Sequence, residues 1–170
     1  FRLPIEPIKN AAKYVGPQLS TNENGDVLTV SSSKVNFAFD KKSGLVTSYK
    51  VNGTEYFSDG FGLQPNFWRG PTDNDYGNNQ PKREQIWKQS SKDFNVSEAS
   101  VSMDGKNAVI KANYLLPAGN LYIVNYTIYP NGAVHVAAHF TSTEMKETET
   151  ELSEATRTAT FTPGRDEARK

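Results

Sequence analysis

The chain of 170 residues is 36% hydrophobic and 11% aromatic, which fits one folded domain with a sizeable core and excludes a disordered chain. Its 19 basic and 19 acidic residues cancel, leaving no electrostatic footprint for nucleic acid or an anionic membrane surface. The absence of cysteine excludes disulfides and thiolate chemistry and leaves the compartment open, since cytosolic and periplasmic proteins can both lack it.

No stretch approaches the roughly 20 apolar residues of a membrane span, and the first residues carry no signal-peptide pattern. A chain opening on Phe1 reads as a segment excised from a longer product. Residues 1–25 read as a linker from a preceding domain: Pro4, Pro7 and Pro17 interrupt any period, and 19–25 is a polar loop. Residues 26–143 carry the pattern of a β-sandwich. Residues 27–30 form a first strand, and Val35, Phe37 and Phe39 alternate with polar neighbours in a second. After a turn at 40–44, Leu45, Thr47, Tyr49 and Val51 give one face of a third strand. Asn52-Gly53 suits a type I′ hairpin leading to a short strand at 55–57.

Beyond a long central loop, residues 81–91 are the one helical stretch, with Pro81 suited to its first turn. Residues 94–103 alternate loosely as a strand ending at Asp104-Gly105. Ala108, Ile110, Ala112, Tyr114 and Leu116 share a face of the next strand, as do Tyr122, Val124, Tyr126 and Ile128 of a third. Asn131-Gly132 turns this back into 133–141, so the spacing is that of an antiparallel sandwich. Residues 144–170 are a polar, charged tail, flexible or made of incomplete strands; 158–162 forms a strand only if a partner strand is present.

The central loop concentrates the chemistry. Residues 67–77 read FWRGPTDNDYG, placing Phe67 and Trp68 as large aromatic anchors beside the five-donor guanidinium of Arg69. Asp73 and Asp75 are candidate partners for it, and Asn74 with the two aspartates can bond nearby backbone in Asx-type turns. Asn78, Asn79, Gln80 and Pro81 continue as a polar, turn-prone run of the kind a surface flap has. From composition alone the favoured reading is a structural Arg–Asp brace.

The run RGPTDNDYGN, followed ten residues after Gly77 by Trp87-Lys88, resembles the signature near the start of the last domain of glycoside hydrolase family 2 β-galactosidases. Phe67, Arg69, Gly70, Pro71, Thr72, Asp73, Asn74, Asp75, Gly77, Trp87 and Lys88 match it. Phe1-Arg2-Leu3-Pro4 resembles the end of that family's preceding immunoglobulin-like domain, and residues 27–56 resemble the opening of its last domain. The resemblance implies an all-β, mainly antiparallel sandwich, the first part of a galactose-mutarotase-like supersandwich, with one short helix. The strands missing from such a part leave exposed sheet edges, which implies self-association or coverage by the linker.

The resemblance also implies an accessory role in a β-galactosidase, with other domains of that enzyme and the galactoside substrate as partners. There the domain shapes and lids the active site of a separate (β/α)8 domain, which performs retaining hydrolysis of terminal β-D-galactosides. The active-site-proximal loop is then Arg69, Asp73, Asn74, Asp75, Gly77, Asn78 and Asn79, with Gly77 the hinge and 78–83 the flap. No catalytic residue is assigned, and the isolated segment is expected to be inactive. A retaining pair needs two carboxyl groups ~5–5.5 Å apart, one with a raised pKa, and Asp73 and Asp75 beside Arg69 should both stay ionised. The resemblance gives no cofactor to this segment, and a need of the enzyme for Mg or Na would be met elsewhere. The substrate-stacking tryptophan of the family lies beyond this chain, so Trp68 and Trp87 read as core.

His135 and His139 share a strand face about 13 Å apart, too far for one zinc with ligands ~2 Å away. Asp73, Asn74 and Asp75 offer oxygen ligands, but the twelve-residue calcium loop with its terminal glutamate is absent. The alternative to the accessory role is a stand-alone carbohydrate-binding sandwich in which Phe67, Trp68 and Tyr76 form a sugar-stacking platform.

Overall fold

Period-two alternation becomes two five-stranded antiparallel sheets in the computed structural model, which describes residues 14–57, 62–141 and, in backbone alone, 155–161. The first sheet is a meander of β1 (Ser20–Asn24), β2 (Val27–Ser31), β3 (Val35–Asp40), β4 (Leu45–Val51) and β5 (Thr54–Glu55). The second is β6 (Asn95–Asp104), β7 (Asn107–Leu115), β8 (Leu121–Ile128), β9 (Val134–Thr141) and β10 (Ala155–Phe161), likewise in sequence order. Between them lie α1 (Asp73–Gly77), α2 (Gln80–Arg83) and α3 (Gln85–Ser90). Among the described residues no helix is long and apolar enough to cross a membrane.

The inner faces carry the alternating apolar set. Leu28, Val30, Val35, Phe37, Phe39, Val46, Tyr49 and Val51 from one sheet meet Ala108, Ile110, Ala112, Tyr114, Val124, Tyr126 and Ile128 from the other. The faces expected for β7 and β8 are the observed ones, with Tyr122 at the half-buried end of its row. Asn52 and Gly53 both take positive φ, 52° and 82°, between the paired residues Val51 and Thr54, as a type I′ hairpin requires.

Three local expectations are corrected. Residues 20–24, read as polar loop, form β1, because an edge strand needs only backbone pairing, here from Ser20↔Ser31 to Asn24↔Val27, and its polar side chains stay largely exposed. The inner face of β4 is Val46, Tyr49 and Val51 rather than Leu45, Thr47, Tyr49 and Val51. The register steps from Ala38↔Ser48 to Phe39↔Val46, so Thr47 is the extra residue of a β-bulge and the face changes across it. A second bulge, between Val96 and Glu98, explains why the alternation of β6 is loose. The expected single helix is broken at Glu84 into α2 and α3 and is joined by α1. The condition set for a strand late in the tail is met, since β10 pairs with β9 from Ala155↔Phe140 to Phe161↔Val134.

The sheets are cross-tied by buried phenols. Tyr114 of β7 donates to the carbonyl of Gly44 in the β3–β4 turn, at 2.9 Å. Reciprocally, Tyr49 of β4 donates to the carbonyl of Gly132 in the β8–β9 turn. Burial raises the pKa of both phenols, and pushes Tyr126 up to about 12, so all three remain protonated at neutral pH. At the edge of the first sheet Glu55 acts as a backbone substitute. Its carboxylate accepts the N–H groups of Tyr49, Tyr56 and Phe57 at 2.8, 3.1 and 3.1 Å, extending a strand only two residues long. Residues 62–94 then lead into the second sheet, and this segment carries the candidate site.

Candidate functional site

The crossing segment is rooted by Phe67. Its ring meets Tyr122 edge-on at 5.1 Å between centroids, with Phe140 at 6.0 Å and Trp87 at 6.3 Å. Tyr122 and Phe140 are paired neighbours on β8 and β9, and they present the inner face of the second sheet. The Phe67 N–H donates to Ser91 Oγ at 2.7 Å, and Ser91 Oγ donates to the Trp87 carbonyl. One aromatic cluster therefore ties the loop, α3 and the sheet together.

Two residues beyond Phe67 the chain is clamped by charge. Arg69 Nη1 and Nη2 donate to Asp75 Oδ2 and Oδ1 at 2.7 and 3.0 Å, a bidentate fork. Asp75 Oδ2 also accepts from the Thr72 N–H at 2.6 Å and the Thr72 hydroxyl at 2.9 Å. The Thr72-x-x-Asp75 spacing is that of a helix-capping pair, which starts α1 inside what reads as a loop. Asp75 is only 9% exposed. Pairing with Arg69 first, and then the two bonds from Thr72, hold its carboxyl well below the ordinary value of 3.8 against the smaller opposing effect of burial.

The pH consequence has a definite sign. A carboxyl whose pKa is depressed by folding stabilises the fold fully above its unfolded pKa, and that stabilisation drains away as pH falls below 3.8 toward the folded value. An acid titration of stability should thus be shallower below pH ~4 in Asp75→Asn than in the parent chain. Parallel curves in urea melts across that range would contradict the clamp.

The remaining expected site residues are spread differently. Asp73 and Asn74 are exposed on α1. Tyr76 is 66% exposed. Gly77 closes α1 with open space where a Cβ would stand. Asn78 Oδ1 accepts the Gln80 N–H at 2.9 Å, and Asn79 sits in the left-handed region at φ 61°. Trp68, read from the sequence as core, is instead half-buried and lines two clefts. One, of about 680 Å³, is aromatic, with Phe67, Trp87, Tyr122 and Phe140 in its wall and Arg69 beside them. The other, of about 590 Å³, mixes apolar Leu45, Pro65 and Phe94 with polar side chains and holds Lys88 and Lys92. The sequence reading missed Tyr122, Phe140 and Ser91 as site neighbours, because only long-range packing brings them to the loop. Thr72 was not read as a cap, although its Thr-x-x-Asp spacing is the signal that could have found it.

His135 and His139 alternate with the inward positions of β9 and so lie on the outer face of the second sheet. Among the described residues no group of three or more His, Asp or Glu side chains is placed to hold a metal ion.

A ten-strand sandwich whose crossing segment is fixed by an Arg–Asp clamp and an aromatic root defines a class, and the chain belongs to the beta galactosidase small chain family, whose model it matches over residues 31–162. It is 33% identical over 138 residues to a beta-galactosidase of Priestia megaterium, an alignment covering 80% of this chain and 13% of that protein. It is 32% identical over 120 residues to a beta-galactosidase of Kluyveromyces lactis, covering 65% of this chain and 11% of that protein. The chain spans about an eighth of the length of these curated relatives.

Proposed function

We propose that this chain is an accessory domain of a β-galactosidase, which shapes and lids an active site built on a separate (β/α)8 domain, and that the parent reaction is retaining hydrolysis of terminal β-D-galactosides. One observation carries the lid. The Arg69–Asp75 clamp fixes the backbone as far as α1, whereas the hydrogen bonds of residues 76–83 all stay within 72–84 among the described residues. A segment bonded to itself beyond a rigid anchor can swing as a unit, with Gly77 at the pivot. Asp75 is committed to Arg69 and Thr72, and its depressed pKa suits a brace and not a general acid. The partners in this reading are the other domains of the enzyme and its galactoside, and the short edge strand β5 is a point where a neighbouring segment can pair.

A stand-alone sugar-binding module is the second reading, favoured by Trp68, which makes no ring contact among the described residues and lines both clefts. The purified chain separates the two when titrated with lactose and assayed on a chromogenic β-galactoside. The accessory reading expects neither binding at millimolar concentration nor turnover. Binding without turnover would favour the module, and turnover surviving repurification would place catalytic carboxylates in this chain.

A further inference from the structure

The second cleft has a chemistry that an uncharged galactoside does not call for. Its wall combines Gln64, Asn66 and Trp68 from the crossing segment with Lys88 and Lys92 from α3 and the turn after it, together with the apolar Leu45, Pro65 and Phe94. Among the described residues no acidic side chain lines it. Neither lysine makes an ion pair or hydrogen bond among the described residues, in contrast to Lys41, which is paired with Glu23 at 2.7 Å. Both are exposed. Two ammonium groups without an ion-pair partner among the described residues, beside a cleft of about 590 Å³, form a local cationic site on a chain whose net charge is zero.

We propose that this cleft binds an anionic carbohydrate, an oligosaccharide bearing carboxylate or sulfate. The indole, the amides and the lysines of the wall each have a counterpart in such a ligand. The free indole face of Trp68 offers a flat apolar surface for the C–H face of a pyranose ring. The amides of Gln64 and Asn66 carry donors and acceptors together, as sugar hydroxyls do; Asn66 Oδ1 already accepts the Trp68 N–H at 3.0 Å, which leaves its NH2 to donate. Lys88 and Lys92 supply compact charges for the acid groups. The cleft volume lies within the ~300–1,000 Å³ usual for small-ligand sites and suits a di- or trisaccharide. An acidic peptide would also meet the lysines, but the paired amides beside an indole face match alternating hydroxyls better than a run of carboxylates, which only accept. This inference goes beyond the lid and does not depend on it, since none of the cleft residues belongs to 76–83.

The test is calorimetric titration of the purified 170-residue chain with digalacturonate, with lactose and hexaglutamate as comparators. Saturable binding of digalacturonate at least about tenfold tighter than either comparator, and weakened as salt is raised, is expected. Lys88→Gln with Lys92→Gln should weaken it about tenfold or more at an unchanged unfolding midpoint, since both side chains are exposed; Trp68→Leu should weaken it as well. Absence of saturable binding, or affinity unmoved by the lysine variant, would overturn the proposal. Tighter binding of hexaglutamate would reassign the cleft to an acidic polypeptide. A result of either kind leaves turnover by the full enzyme, the readout of the lid, untouched.

Discussion

Gly44→Ala should destabilise the sandwich by roughly 3 kcal/mol, from backbone strain of ~1–3 kcal/mol together with overpacking of similar size. Gly44 holds φ at 70° in the β3–β4 turn, a conformation that L side chains adopt at a cost. A Cβ there would stand 2.8 Å from Val96 Cγ2, 3.0 Å from Tyr114 Cε1 and 3.2 Å from Phe94 Cε2, so the added methyl must displace side chains of the facing sheet. Its carbonyl is also the acceptor for the Tyr114 phenol, so the same shift strains the cross-sheet tie. Tyr114→Phe, which removes the donor and leaves that carbonyl without it, should cost about 1–3 kcal/mol. Urea melts of both single variants and the double variant give the coupling, which should be non-additive because the groups touch. A Gly44→Ala chain with an unshifted midpoint would show that the turn does not approach the second sheet as described.

Phe67→Ala should cost about 2–3 kcal/mol, below the ~3–5 kcal/mol of a sealed site because the ring is half-buried. The effect should not stay local. Phe67 is the contact through which residues 66–77 meet Tyr122, Phe140 and Trp87, and its truncation empties the wall of the aromatic cleft. Limited proteolysis should then cut within 78–83 markedly faster, at a protease level that leaves the sheets intact. Loss of stability without faster cutting there would mean that the loop is held by the Arg69–Asp75 fork alone.

What could be read from the sequence follows the physics of each element. The inward faces of β7 and β8 were legible, because period-two patterns such as Ala108, Ile110, Ala112 and Tyr114 bury every second side chain. The inner face of β4 was not: the bulge at Thr47 is set by pairing with β3 and has no turn residue to announce it. Strand β1 was hidden because edge pairing uses backbone groups that every residue has. In the candidate site, Arg69 with an aspartate was legible as chemistry, but choosing Asp75 over Asp73 takes the capping geometry at Thr72. The aromatic root of Phe67 joins residues more than 50 positions apart, and no local pattern encodes such a contact.

Gly77 offers the most direct test of the lid. A methyl group there meets nothing within 4 Å, and φ is outside the left-handed region, so Gly77→Ala should leave this domain's unfolding midpoint unchanged or slightly raised. Introduced into the proposed full-length β-galactosidase and followed by steady-state kinetics on lactose, it should alter kcat several-fold through the hinge alone. Unaltered kcat and KM at unaltered stability would contradict the lid and leave residues 69–77 as a structural brace.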